Sequence, residues 1–146
     1  MIRLQQDPID PEEVRRSVED ETLGGVVLFC GEVRSITGEI VTERVVYSAY
    51  EPMAIREMER IAREAEERWG ARVALVHRLG TLRPGEIAVV TAAACPHRPQ
   101  AFECCRFLID ELKRDVPIWK EEYGPDGRVI QEGDRRVPVA EEEHTE

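Results

Sequence analysis

Lysine is nearly absent from this chain. Of 20 basic residues only Lys113 and Lys120 are lysines, and the other 18 are arginines. Arginine keeps its proton at any accessible pH, whereas a lysine amine can be tuned by burial or neighbouring charge to work as acid, base or nucleophile. Chemistry that needs a titrating amine therefore has two candidates, seven residues apart.

Other absences narrow the class. No stretch approaches the roughly 20 apolar residues of a membrane span. The first residues, with Asp7, Asp10, Glu12 and Glu13, lack the basic-then-apolar layout of a secretion signal. A soluble cytoplasmic protein without a membrane partner is expected. Cys30, Cys95, Cys104 and Cys105 contain no C-x-x-C pair, and the adjacent doublet suits neither a zinc site nor a disulfide framework. Reduced, buried thiols and no metal or cofactor are the expectation. The formal charge of -10 argues against nucleic acid as a partner, so any anionic substrate must meet a local cationic cluster. Internal repeats, low-complexity blocks and interdomain linkers are also missing.

What is present suits one domain, since 146 residues with 42% hydrophobic content can bury a core without disulfides or metal. We expect a single domain over residues 1–133, followed by a polar tail over 134–146 that ends in EEEHTE. Asp10 as N-cap, Pro11 at the first helical position and Glu13 three residues after the cap predict a short helix over 10–20. GGVVLFCGEVR at 24–34 and a second β-rich run at 41–50, separated by SITGE, predict a hairpin. From Pro52 to Trp69 the apolar residues Met53, Ile55, Met58, Ile61, Ala62, Ala65 and Trp69 fall nearly all on one helical stripe, and Gly70 is placed to end the helix.

Residues 72–79 and 86–95 predict a second hairpin around Pro84 and Gly85. After Pro96 comes a long helix whose apolar positions, among them Ala101, Cys105, Leu108 and Leu112, keep helical spacing until Pro117. The chain continues through PIWKEEYG to a turn at Pro125, Asp126 and Gly127 and a last short strand near Val129 and Ile130. The pattern predicts an α+β domain of two layers, with helices packed on a largely antiparallel sheet.

His97 and Arg98 sit where a buried strand hands over to a helix, with Pro99 suited to its start. Unpaired N–H groups at such a junction, joined by an imidazole and a guanidinium, suit a phosphate ester. A capping His97 and a surface Arg98 are the plainer reading. Arg34 ends a strong strand beside a turn containing Gly38, from which it can reach a cleft or simply face solvent. Lys113 in the last turn of the long helix has a ready role as a cation at the negative dipole end. Lys120 has none; if Trp119 and Ile118 are buried, it lies along apolar walls and is usable as a base.

The runs FCGEVR at 29–34, YSAYEPMA at 47–54, HRLGTLRPGE at 77–86, PHRPQAFE at 96–103 and, most specifically, IDELKRDVPIWKEE at 109–122 resemble the large subunit of molybdopterin synthase. Order and spacing match from about Gly24 to Gly127. The resemblance implies an α/β hammerhead-type fold, and a homodimer with a small ubiquitin-like subunit at each end. It implies catalytic roles for Lys113 and Lys120, and binding of a phosphate-bearing pterin by Arg34, His97 and Arg98. The implied reaction converts cyclic pyranopterin monophosphate to molybdopterin, with two sulfurs taken from the small subunit's C-terminal Gly-Gly thiocarboxylate. A noncatalytic module docking a ubiquitin-like carrier is the alternative. A cysteine-dependent sulfurtransferase is disfavoured by the core positions of the cysteines.

Geometry adds one expectation. Sixteen residues of mostly helix separate His97 from Lys113, on the order of 24 Å at about 1.5 Å per residue. One small substrate cannot touch both ends, so either the phosphate site is separate from the lysines or His97 and Arg98 serve the pocket of the other subunit of a dimer; we expect the second.

Overall fold

The computed structural model describes residues 1–132 and 135–136. In chain order the elements are β1 (Ile2–Gln5), α1 (Pro11–Ser17), β2 (Gly25–Glu32), β3 (Ile36–Thr37), β4 (Ile40–Val41), β5 (Arg44–Ala49) and α2 (Glu51–Trp69). Then follow β6 (Arg72–Arg78), β7 (Gly80–Leu82), β8 (Ile87–Cys95), α3 (Arg98–Asp115), β9 (Ile118–Tyr123), β10 (Val129–Glu132) and β11 (Arg135–Arg136).

The helix boundaries follow their local signals. The Asp10 carboxylate accepts the Glu12 backbone N–H at 3.0 Å, and Pro11 opens α1. Gly70 closes α2 in the left-handed conformation, at φ 61°, where a Cβ would be costly. Ala54, Met58, Ile61, Ala62 and Ala65 form the buried stripe of α2. Met53, expected on that stripe, is instead 45% exposed.

Strands divide between two main sheets. The first has four strands in the order β1-β6-β8-β2, with β1 parallel to β6 and the other pairs antiparallel. The second has five antiparallel strands, β11-β10-β9-β5-β7, and β3 and β4 form a two-residue ladder apart from both. Strand alternation sends Val73, Leu75, Val89 and Ala93 into a core under α2 and α3. The alternate residues Ala74, Val76, Val90, Ala92 and Ala94 meet Val14 and Val18 of α1 on the opposite face. β8 is covered on both faces, which explains its nearly unbroken apolar run. A third cluster, including Val33, Val45, Tyr47 and Leu82, joins the two sheets.

The α+β, largely antiparallel architecture expected from the sequence is therefore what the chain adopts, but with two sheets in place of one. The predicted hairpin of 24–34 with 41–50 does not form. β2 pairs with β8 from Gly25↔Cys95 onward, while β5 lies in the other sheet between β7 and β9. Both are apolar enough for either partner, and the fully buried β8 needs ladder partners on both edges, which β6 and β2 supply. Only the short β3/β4 ladder closes between them. The second predicted pair does form as β6 and β8, though the connection carries β7 across to the other sheet. Other strands were not anticipated: β1 is too short to show a pattern, the β3/β4 ladder and β7 lie in segments read as turns, the IWKEEY run of β9 looks polar, and β11 falls in the stretch read as a polar tail. β11 continues the sheet to Arg136, and residues 134 and 137–146 of the expected tail lie outside the described residues. Among the described residues no helix is long and apolar enough to cross a membrane.

His77 is a core histidine. It is 1% exposed, its Nδ1 lies 2.8 Å from the Arg78 carbonyl, and its ring meets Tyr47 edge-on at 4.8 Å between centroids. Burial lowers its pKa from 6.5 to about 4. A histidine with a depressed folded pKa is protonated first in the unfolded chain. Its stabilising contribution is thus complete above about pH 6.5 and lost as pH falls toward 4. Urea titrations at pH 7 and pH 5 should show His77→Gln losing about 2 kcal/mol less stability over that interval than the wild type. Equal losses in both proteins would show that His77 is not the group responsible.

Candidate functional site

Where the two sheets meet, a cleft of about 200 Å³ opens. Phe29 and Gly31 of β2 and Val89 of β8 lie on one side of it, and Val45 and Tyr47 of β5 on the other. The β2/β8 register slips here: Gly31 pairs with Val89 and Glu32 with Ile87, which leaves Ala88 as an extra residue lining the cleft. A bulge of this kind re-aims side chains beside a site. A Cβ on Gly31 would stand 2.7 Å from Val89 Cγ1, so glycine lets the strands close at this point.

Lys113, Lys120 and Arg34 all line this cleft. The two lysines reach it from different elements. α3 delivers Lys113 in its last turn, and β9 delivers Lys120 as the cross-strand neighbour of Tyr47. Pro117 makes this possible, because it disfavours helical geometry in Val116, which is extended at φ -82°, ψ 125°. Arg34 follows Val33, whose N–H donates to the Glu86 carbonyl at 3.0 Å and whose own carbonyl accepts the Gly85 N–H at 2.8 Å. The guanidinium thus extends from a pinned backbone, and among the described residues it has no ion-pair partner.

The electrostatics are local. Three cations face two carboxylates, Glu32 and Glu122, in a chain whose net charge is -10. Much of the Lys113 side chain is exposed, yet its amine is crowded by protein at the cleft. This desolvation, and secondly the charge of Lys120, lowers its pKa. Lys120 Nζ pairs with Glu122 Oε1 at 2.9 Å. Burial, then the charge of Glu122, pushes the Tyr47 phenol up to about 12, so its hydroxyl keeps its proton at neutral pH. A desolvated amine, a protonated phenol and a paired ammonium together give the cleft acid and base capacity without a thiol.

Trp119 is not the apolar wall beside Lys120 that the sequence suggested. Strand alternation turns it to the opposite face, where it is 53% exposed. Ile118, the other expected wall, is partly buried, and Val45 and Tyr47 complete the apolar surroundings.

His97 and Arg98 are not in this cleft. They are exposed at the start of α3, against Gly25, where a Cβ would lie 2.9 Å from the Arg98 nitrogen. Fifteen residues of helix separate Arg98 from Lys113, about 22 Å. Six residues of β2 between Gly25 and Gly31 span about 20 Å alongside. Within one chain the two groups stay apart.

Tyr47, Glu122 and Thr42 were missed as site residues. A strand assignment for IWKEEY would have put Lys120 and Glu122 on one face. The thiols offer no rival chemistry: burial raises the pKa of Cys95, Cys104 and Cys105, and also that of the half-buried Cys30. Among the described residues no group of three His, Cys, Asp or Glu side chains is placed to hold a metal ion.

The chain is similar to several known proteins. The molybdopterin synthase catalytic subunit of Pyrococcus abyssi is 43% identical over 129 residues, 88% of this chain and 87% of that one. The crystal structure of molybdopterin synthase from Staphylococcus aureus superposes with a TM-score of 0.81 at 39% identity, covering 85% of this chain and 91% of that one. A protein-protein complex of subunits 1 and 2 of molybdopterin-converting factor from Helicobacter pylori shares the fold, with a TM-score of 0.76 at 21% identity and 94% of each chain covered. The MoaE protein family matches residues 4–115, from within β1 to the end of α3 that delivers Lys113 to the cleft, and the chain belongs to that family.

Proposed function

We propose that this chain is the catalytic subunit of a molybdopterin synthase, converting cyclic pyranopterin monophosphate to molybdopterin with sulfur from the C-terminal thiocarboxylate of a small ubiquitin-like subunit. One observation carries the reading: the only two lysines in the chain converge, through separate elements, on one cleft. The 43% identical relative is named for this catalytic role, and a neighbour of the same fold was solved as a complex of two subunits.

The sulfur arrives already nucleophilic, so this chain needs no activated cysteine. Its tasks are to bind phosphate, hold the pterin side chain against the carrier terminus, and move protons as oxygen leaves. Lys113 and Lys120 attract the thiocarboxylate and serve as acid and base, with Lys120 the more indispensable. The lowered pKa of Lys113 supports proton transfer over a merely electrostatic role.

Arg34, His97 and Arg98 bind the phosphate-bearing pterin. Because His97 and Arg98 lie a helix length from the lysines, they serve the cleft of the second copy in a homodimer. At about 200 Å³ the cleft is below the roughly 300–1,000 Å³ of a typical complete small-molecule site, as a half-site would be. A noncatalytic docking module would bind the same carrier without turnover, and an assay with thiocarboxylated carrier and pterin separates the two.

Replacing Lys120 by Arg keeps the charge but removes the titrating amine, and should lower kcat roughly 100-fold or more, with a smaller loss for Lys113→Arg. Full activity in both variants would refute the proton-transfer roles. Mixing Lys120→Ala chains with Arg98→Ala chains should restore roughly a quarter of wild-type activity, since random exchange makes half the dimers mixed and each has one intact site. No recovery in a verified mixed dimer would show that His97 and Arg98 do not act across the dimer.

A further inference from the structure

Lys120 does not enter the cleft alone. Alternation along β9 puts Lys120 and Glu122 on one face, with Nζ and Oε1 2.9 Å apart. The second carboxylate oxygen, Oε2, accepts a hydrogen bond from the Thr42 hydroxyl at 3.1 Å. Thr42 is 3% exposed, and its backbone N–H donates to the Ser35 carbonyl at 2.8 Å, so the hydroxyl is fixed at the base of the turn that follows Arg34. Each oxygen of Glu122 therefore has its own partner. The carboxylate side chain is only 16% exposed and the Lys120 side chain 32%, which separates this pair from the mobile, screened ion pairs of a protein surface.

Lys113 differs. Among the described residues it has no carboxylate partner, so the cleft holds one amine already matched by an internal anion and one without. An anionic terminus entering the cleft meets Lys113 without competition. At Lys120 it meets an ammonium whose nearest carboxylate is Glu122, and two carboxylates sharing one ammonium repel each other.

We propose that Glu122 is a positioning residue: it aims the Lys120 amine into the cleft and is the resident anion that an incoming carboxylate or thiocarboxylate terminus displaces, while Thr42 holds the displaced carboxylate in place. This inference rests on the catalytic reading of Lys120. It gives the Thr42 hydroxyl a purpose beyond satisfying a buried oxygen, since without it a freed Glu122 could follow the ammonium.

Glu122→Gln keeps the shape and removes the charge, which has two opposed consequences. Lys120 loses its orientation, and kcat should fall roughly 10- to 100-fold. The cleft loses a competing anion, and the small subunit in its plain carboxylate form should bind roughly three- to tenfold more tightly. Thr42→Val, nearly isosteric, should lower kcat by less but weaken carrier binding, because Glu122 is then free to follow the ammonium and compete with the incoming carboxylate, and Glu122→Asp should recover part of kcat. Turnover is measured in the reconstituted complex with thiocarboxylated carrier and pterin, binding by calorimetry with the unreactive carboxylate carrier, and folding by thermal melts. A merely structural role lowers kcat without tightening the carrier.

Unchanged kcat in Glu122→Gln and Thr42→Val, a fall in kcat in Glu122→Gln with unchanged or weaker carrier binding, or tighter carrier binding in Thr42→Val overturns the inference. If Lys120→Arg retains full activity, the underlying catalytic reading fails; if that variant is inactive while Glu122→Gln behaves as wild type, only the positioning role fails.

Discussion

The reversal at Val116 and Pro117 is the constraint on which the site depends. The Val116 N–H still donates to the Leu112 carbonyl at 3.1 Å, completing the last turn of α3, and two residues later the Ile118 N–H donates to the Val116 carbonyl at 2.8 Å. Helix becomes strand within that step. On an uninterrupted helix, lysines seven residues apart would share a face about 10 Å from each other on one rigid rod. The break instead hands Lys120 to a second sheet while Lys113 stays on the first layer, so the amines approach the same space from separate supports.

That arrangement accounts for the electrostatics as well. A chain with a net charge of -10 repels anions at long range. Within the cleft, Arg34, Lys113 and Lys120 outnumber Glu32 and Glu122, and the low-dielectric walls of Phe29, Val45 and Val89 preserve the local field. The scarcity of lysine then has a physical meaning. Arginine serves the surface ion pairs, such as Arg15 with Glu12 and Arg60 with Glu57, where a fixed charge suffices.

The helices were legible because each carries its own evidence: Asp10 and Pro11 start one, Gly70 ends another, and Pro117 stops the third. The strands were read correctly as strands wherever β-branched residues clustered, but their partners were not. Nothing in GGVVLFCGEVR says that it pairs with a segment some sixty residues away and not with the run that follows it. β9 was missed because Lys120, Glu121 and Glu122 look like a solvated stretch, when one face of that strand lines a cleft. Trp119 misled for the same reason, since its size suggested burial while the alternation of β9 turned it outward.

By itself the sequence determined which two residues could supply a titrating amine, where the helices begin and end, and that His97 and Lys113 stand a helix length apart. These follow from side-chain identity and local backbone rules, which act over a few residues. Only the tertiary structure decided that Lys113, Lys120 and Arg34 share one cleft, that Glu122 pairs with Lys120 there and accepts a hydrogen bond from Thr42, and that β2 and β5 belong to different sheets. Those outcomes depend on long-range pairing, and that is settled by the burial of β8 on both faces and the joining of the two sheets around Val45 and Tyr47, not by any segment read alone.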